Sequence, residues 1–249
     1  MAHLSARPLS QWAAGFHREG TSDDALVLLH GFSGHPGHWQ PMADDLEARG
    51  HTVVAPRLPG HGTSPEDLAT TGADEWLATA REAADSVRHH RRVHLVGLSM
   101  GGMLAILIAR PSAAYSLVTI NAPVSTHDRK VAWASLASPF IRETVAVVAP
   151  PPDPELSHLW VPYSIHPTAA VAELVRVTRR AWREAGRLRR PALVIQSRTD
   201  ETVRPVSGPR LARRLDGRLL WLEQCRHNAL LDPGRGIVHA AVIDQIENA

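Results

Sequence analysis

Short unbroken apolar runs and longer stretches with helical spacing alternate along much of the chain. Ala25-Leu26-Val27-Leu28-Leu29-His30 is apolar at five consecutive positions and gives way to the glycine-rich Gly31–Gly37. A run of that kind predicts a strand buried on both faces. Trp39 to Arg49 carries Trp39, Met42, Ala43 and Leu46 on one side, with Gly50 as a stop, and predicts a helix. His51 to Pro56 predicts a second strand, running into the loop Arg57–Ser64. Glu75 to His90 predicts a helix entered after Asp74 as N-cap, with Trp76, Ala80, Ala83, Ala84 and Val87 as its apolar stripe. Val93 to Leu98 predicts a strand, Met103 to Ala109 an apolar helix ended by Pro111, and Tyr115 to Asn121 another strand. Alternation of this kind over residues 25–121 predicts a mostly parallel sheet covered by helices on both faces.

The rhythm breaks between Ala122 and Leu188. Trp133 to Ala149 is apolar without a clear strand, Pro150 to Pro154 is a rigid proline run, and Thr168 to Gly186 has the spacing of a helix. That helix carries Val171, Leu174, Val175, Thr178 and Trp182 on one side, while Arg176, Arg179, Arg180, Arg183 and Arg187 read as a solvated face. Residues 122–187 are therefore expected to form an inserted cap, and 1–121 with 188–249 a single core. The core resumes with a strand at Ala192–Ser197, a helix at Val206–Leu215, a strand at Arg218–Glu223 and a closing helix at Gly236–Asn248. Gln11 to His17 is expected as an edge strand.

Composition narrows the class. The 249 residues suffice for one large domain, and 44% hydrophobic with 21% charged residues is ordinary for a globular protein. A formal net charge of +2 argues against nucleic acid as a partner. A single cysteine, Cys225, excludes an intramolecular disulfide framework and a cysteine-rich metal site. The N-terminus lacks the pattern of a signal peptide, and the longest apolar run, Met103 to Ala109, is far short of a bilayer span. The expected location is cytoplasmic.

The chemistry is concentrated in Gly97-Leu98-Ser99-Met100-Gly101-Gly102, a G-x-S-x-G turn between a strand and a helix. Such a nucleophile elbow holds its serine in a strained conformation at a helix N-terminus. Gly97 and Gly101 flank Ser99 because a Cβ at either place would strike the neighbouring strand or helix. A serine hydroxyl needs a base within hydrogen-bond reach, and the base needs an acid to fix its tautomer. With an elbow of this type the partners follow as serine, acid, histidine, each after a late strand. Arg198-Thr199-Asp200-Glu201 follows the 192–197 strand, and Gln224-Cys225-Arg226-His227-Asn228 follows the 218–223 strand. Asp200 and His227 are thus the candidate partners of Ser99, with Glu201 the second choice of acid. Asp128 and Asp153 fall in the expected cap, and Asp23, Asp24 and Asp232 match no strand end. The backbone N–H groups of Met100 and of Phe32, in His30-Gly31-Phe32-Ser33-Gly34, are the candidate oxyanion donors.

Five segments resemble a known family, the bacterial monoacylglycerol lipases and the closely similar small carboxylesterases. They are His30–Gly34, Pro59-Gly60-His61-Gly62-Thr63, Gly97–Gly102, Ser197–Glu201 and His227-Asn228-Ala229-Leu230-Leu231-Asp232, in that order. The resemblance spans the chain from about Phe16 and is loosest in the cap. It implies an α/β-hydrolase fold with a mostly parallel central sheet, hydrolysis of carboxylic esters, Ser99, Asp200 and His227 as triad, and Phe32 and Met100 as oxyanion donors. No metal or organic cofactor is implied. Arg226 departs from the small residue that family members often carry before the histidine.

These readings together lead us to expect a serine esterase, monomeric or weakly dimeric, that acts on monoacylglycerols or similar simple esters through an acyl-enzyme. Thioester or C–C cleavage, acyl transfer, or a non-catalytic small-ligand binder on the same fold are the rivals. Trp133, Leu136, Phe140, Ile141, Val145, Val147 and Val148 are expected to line, in part, a pocket for an aliphatic acyl chain.

Overall fold

The computed structural model describes residues 11–127, 141–145 and 153–248. Asp128 and most of the apolar residues expected to line an acyl pocket (Trp133, Leu136, Phe140, Val147 and Val148) lie outside the described residues, while Ile141 is exposed.

Seven strands form the central sheet: β1 (Phe16–Arg18), β2 (Asp24–Leu29), β3 (Thr52–Ala55), β4 (Arg92–Leu98), β5 (Ser116–Ile120), β8 (Ala192–Ser197) and β9 (Arg218–Leu222). Their order is β1-β3-β2-β4-β5-β8-β9, with β1 antiparallel to β3 and every other pairing parallel. The mostly parallel sheet read from the alternating runs is borne out. β6 (Glu143–Val145) and β7 (Ile165–Pro167) form a separate antiparallel pair. Among the described residues the helices are α1 (Gln40–Glu47), α2 (Pro65–Ala69), α3 (Ala73–Ser86), α4 (Met100–Ile108), α5 (Thr168–Ala185), α6 (Ser207–Leu215) and α7 (Arg235–Glu247).

The period of two along each strand divides the core. From β2, Ala25, Val27 and Leu29 enter one hydrophobic cluster, together with Trp76 of α3 and residues of α4, α5 and α6. Leu26 and Leu28 enter the other, with Trp39 and residues of α1 and α7. Strand β8 repeats the split, Ala192 and Val194 to the first side and Leu193 and Ile195 to the second. Each face therefore has its own fully buried tryptophan. A tryptophan of this kind covers roughly 150–250 Å² of surface. The two together hold the sheet between its helical layers.

Local signals account for most element ends. Helix α3 begins at Ala73 rather than Glu75, because the Glu75 carboxylate accepts from the N–H of Gly72 (2.9 Å) and extends the helix backwards. Helix α2 was not anticipated. Ser64 caps it by accepting from Asp67 N–H at 3.2 Å, and Pro65 occupies its first position. Trp39 stands in a short 3-10 turn (Pro36–Trp39) ahead of α1. Helix α5, within the segment expected as a cap, packs Val177, Ala181 and Ala185 into the first core cluster and makes its most extensive helix contact with α4. Its small side chains allow that close approach, so α5 is a layer of the core. Among the described residues no helix is long and apolar enough to cross a membrane.

Candidate active site

The site is built at the carboxyl ends of β2, β4, β8 and β9. β4 stops at Leu98 and α4 starts at Met100, so Ser99 alone makes the turn, at φ +53° and ψ −119°. That left-handed backbone is strained for any residue with a Cβ. The turn is enforced by crowding: a Cβ added to Gly97 would lie 2.2 Å from the carbonyl carbon of Gly101, and one on Gly101 would lie 2.0 Å from the Leu29 carbonyl oxygen. Ser99 N–H donates to the Ile120 carbonyl at 2.8 Å, which ties the turn to β5.

Three side chains stand in one hydrogen-bonded line. His227 Nε2 lies 3.0 Å from Ser99 Oγ, and His227 Nδ1 lies 3.0 and 2.9 Å from the two Asp200 carboxylate oxygens. A carboxylate can only accept, so Nδ1 carries the proton and Nε2 is left as acceptor for the serine hydroxyl. Asp200 is buried, 3% exposed, and its Oδ1 accepts from Thr202 N–H (2.8 Å) and Val203 N–H (2.7 Å). Those donors fix the carboxylate and balance its charge.

The other candidate acids go elsewhere. Glu201 accepts from the backbone N–H of His227 at 3.0 Å and does not reach the imidazole by the same bond. Asp24 forms a two-pronged pair with Arg92 (2.5 and 2.6 Å), in register with the amino end of β4. Asp23 lies 4.0 Å from Arg91, and Asp153 pairs with Arg235 at 2.5 Å. Asp232 is buried and accepts from the backbone N–H of Arg226, so it braces the residue before the histidine. Burial pushes its carboxyl pKa up.

The loop after β2 passes directly beside the serine. A Cβ on Gly31 would stand 3.3 Å from Ser99 Cβ and 3.9 Å from its Oγ. His30 holds this loop from beneath: its Nδ1 donates to the Gly31 carbonyl (2.9 Å) and its Nε2 accepts from Leu58 N–H (3.2 Å). Complete burial keeps the His30 pKa well below the ordinary histidine value, so the ring stays neutral in that arrangement. Met100 opens α4, where the first-turn N–H groups have no acceptor within the helix. The Phe32 ring stands edge-on to His166 (5.2 Å), His61 (5.8 Å) and Trp76 (6.1 Å).

Residues ahead of α5 lean on these loops. Tyr163 donates to the Gly60 carbonyl (2.9 Å) and accepts from Thr63 N–H (2.8 Å). His166 Nε2 meets Ser33 Oγ at 3.1 Å, and Trp160 stacks on His38 at 5.7 Å. His38 in turn accepts from the amide of Asn228 at 3.3 Å. Desolvation lowers the pKa of His61 and of His166 to about 4, so both are neutral at pH 7. Among the described residues, no three His, Cys, Asp or Glu side chains converge in a way that could hold a metal ion.

Sequence reasoning missed Asn121. It closes β5 at φ +48°, fully buried, and its amide touches both the end of β8 and the histidine loop. The one available signal was an asparagine ending a strand, since asparagine tolerates the left-handed region better than other residues with a Cβ.

A serine, a histidine and an aspartate in hydrogen-bonded sequence, at the carboxyl edge of a mostly parallel sheet, define the class of nucleophilic serine hydrolases. The family model described as "Alpha/beta hydrolase family" matches residues 26–240. The chain belongs to that family. Among its relatives, the "Thermostable monoacylglycerol lipase" of Bacillus sp. (strain H-257) is 30% identical over 201 residues, covering 80% of this chain and 78% of that protein. The "Carboxylesterase" of Bacillus subtilis (strain 168) is 24% identical over 230 residues, 90% of this chain and 93% of that one. A solved structure from work on LipS and LipT, two metagenome-derived lipolytic enzymes, superposes with a TM-score of 0.89 at 27% identity, covering 97% of this chain and all of that one.

Proposed function

We propose that this protein is a serine carboxylic-ester hydrolase acting on monoacylglycerols and similarly slim monoesters through an acyl-enzyme on Ser99. The observation that carries the reading is the line from Ser99 Oγ through His227 to Asp200, with every contact at 2.9–3.0 Å.

In this reading His227 Nε2 takes the hydroxyl proton as Ser99 Oγ attacks the ester carbonyl, and Asp200 stabilises the imidazolium that forms. The backbone N–H groups of Phe32 and Met100 receive the oxyanion, and His227 returns the proton to the departing alcohol. Water then repeats the two steps on the acyl-enzyme and frees the acid. The relatives named as carboxylesterase and monoacylglycerol lipase support the ester as substrate. We confine the cap to residues 122–167, short of the 187 expected from the sequence, because α5 packs as part of the core. Tyr163 and His166, which rest on the loops at Gly60–Thr63 and Ser33, favour a slim substrate over a bulky triacylglycerol.

The test is a panel of p-nitrophenyl esters, soluble monoacylglycerols and emulsified triolein, alongside labelling of the protein by a fluorophosphonate. Labelling at Ser99 with faster cleavage of monoacylglycerol than of triolein is expected. No labelling overturns the chemistry, and faster triolein cleavage overturns the substrate class.

A further inference from the structure

We infer that Asn121 is a positioning residue that sets the catalytic histidine, acting from a strand that contributes no member of the triad. The inference rests on the triad reading above.

Its side chain is fully buried and saturated with hydrogen bonds. The amide nitrogen donates to the carbonyls of His227 (2.8 Å) and Arg226 (3.2 Å) and to Ser197 Oγ (3.0 Å). The amide oxygen accepts from Ser197 N–H (2.7 Å) and from the Gln196 side chain (3.2 Å). Ser197 Oγ itself donates to the Arg226 carbonyl at 3.2 Å. One side chain therefore joins the carboxyl end of β5, the end of β8 just before Asp200, and the peptide carrying His227.

The polarity of the group matters. The histidine loop presents two carbonyls, which call for donors, and β8 presents an N–H, which calls for an acceptor. Asparagine supplies both from one planar head. Aspartate would set an oxygen against two carbonyl oxygens, and leucine would take from the His227 carbonyl and the Ser197 N–H the partner that Asn121 gives them. The left-handed φ of +48° turns the chain at this residue, directly after Ile120, whose carbonyl receives Ser99 N–H. The serine turn and the histidine loop are thus registered to the same strand end. Glu201 and Asp232 hold the backbone N–H groups of His227 and Arg226. Asn121 holds the carbonyls of the same two residues, so this short stretch is pinned from both sides.

A displacement of the imidazole by about 1 Å reduces turnover by up to roughly a hundredfold, because the Ser99–His227 bond must be made in line. The variants Asn121→Gly and Asn121→Ser test this. Glycine accepts the positive φ, so it removes the side chain without adding backbone strain. Each is assayed on p-nitrophenyl butyrate, with the folded fraction measured by circular dichroism. The downfield proton NMR signal of the His227 Nδ1–H shared with Asp200 is recorded in parallel. The expected result is a ten- to hundredfold lower kcat per folded molecule with KM within twofold, together with a shifted or broadened downfield signal. An unchanged kcat, or a loss that follows the folded fraction alone with the signal intact, overturns the inference. Ser99→Ala keeps the two readings apart. If wild-type protein and Ser99→Ala hydrolyse esters equally, the triad reading fails. If only the Asn121 variants match wild type, the positioning role fails and the triad stands.

Discussion

Glu201 binds the main chain of His227, its carboxylate accepting the peptide N–H at 3.0 Å, while its neighbour Asp200 takes the imidazole of the same residue. Two adjacent acids on one loop thus divide the work on one histidine. Asp200→Asn places an amide against Nδ1 and favours the wrong tautomer, so kcat is expected to fall by roughly 10³–10⁴. Glu201→Gln keeps an oxygen acceptor for the peptide N–H and should reduce kcat less than about fivefold. Steady-state hydrolysis of a p-nitrophenyl ester ranks the two, and the reverse order would assign the acid to Glu201.

Removing the serine hydroxyl separates chemistry from folding. Ser99→Ala is expected to lose at least roughly a thousandfold in kcat while keeping the wild-type circular dichroism spectrum. A variant that retained a tenth of the wild-type rate would exclude Ser99 as nucleophile.

Crowding at the elbow predicts a failure of another kind. In Gly101→Ala the new methyl would overlap the carbonyl oxygen of Leu29, the last residue of β2, a strand paired on both sides, with β3 and β4. A loss of several kcal/mol is expected, in the range of roughly 1–3 or more for overpacked cores. Urea denaturation measures it. A wild-type midpoint would mean that β2 and α4 can separate at little cost.

The buried histidines predict how stability depends on pH. Desolvation holds His61, His94 and His166 at about 4 in the folded protein, against an ordinary value near 6.5. Below pH 6.5 the unfolded chain therefore binds protons that the folded chain does not, and stability falls as pH drops from about 6.5 to about 4. The slope is on the order of 1 kcal/mol per pH unit for each such histidine. Most carboxylates titrate lower, so the upper part of this window belongs to the histidines. Urea midpoints that stayed level from pH 7 to pH 5 would contradict their neutral burial.

The sheet was legible in the sequence because a strand buried on both faces must be apolar throughout, as Ala25–Leu29 and Ala192–Ile195 are. The positions of Ser99, Asp200 and His227 at strand ends could be read because linear order implies spatial order in a parallel sheet. What could not be read depends on side chains meeting across large sequence separations. Asn121 acts on residues more than seventy positions away, and His166 reaches Ser33 from 133 positions away. Beyond an asparagine at a strand end, nothing in the local pattern marks either. Helix α5 is a different case. Its amphipathic spacing announces a buried side without naming what buries it, and the partner proved to be α4.

The backbone of Ser99 has a further consequence. At φ +53° and ψ −119° a Cβ costs on the order of 1–3 kcal/mol, whereas glycine would lose only about 0.5–1 kcal/mol of unfolded-state freedom. Ser99→Gly should therefore melt later than the wild type, by roughly 2–4 °C for each kcal/mol gained, while hydrolysing nothing. A residue strained in this way is one that selection for robustness alone would discard. The fold tolerates a permanent weak point at the place where a hydroxyl must be presented, and every copy of the protein is less durable for it.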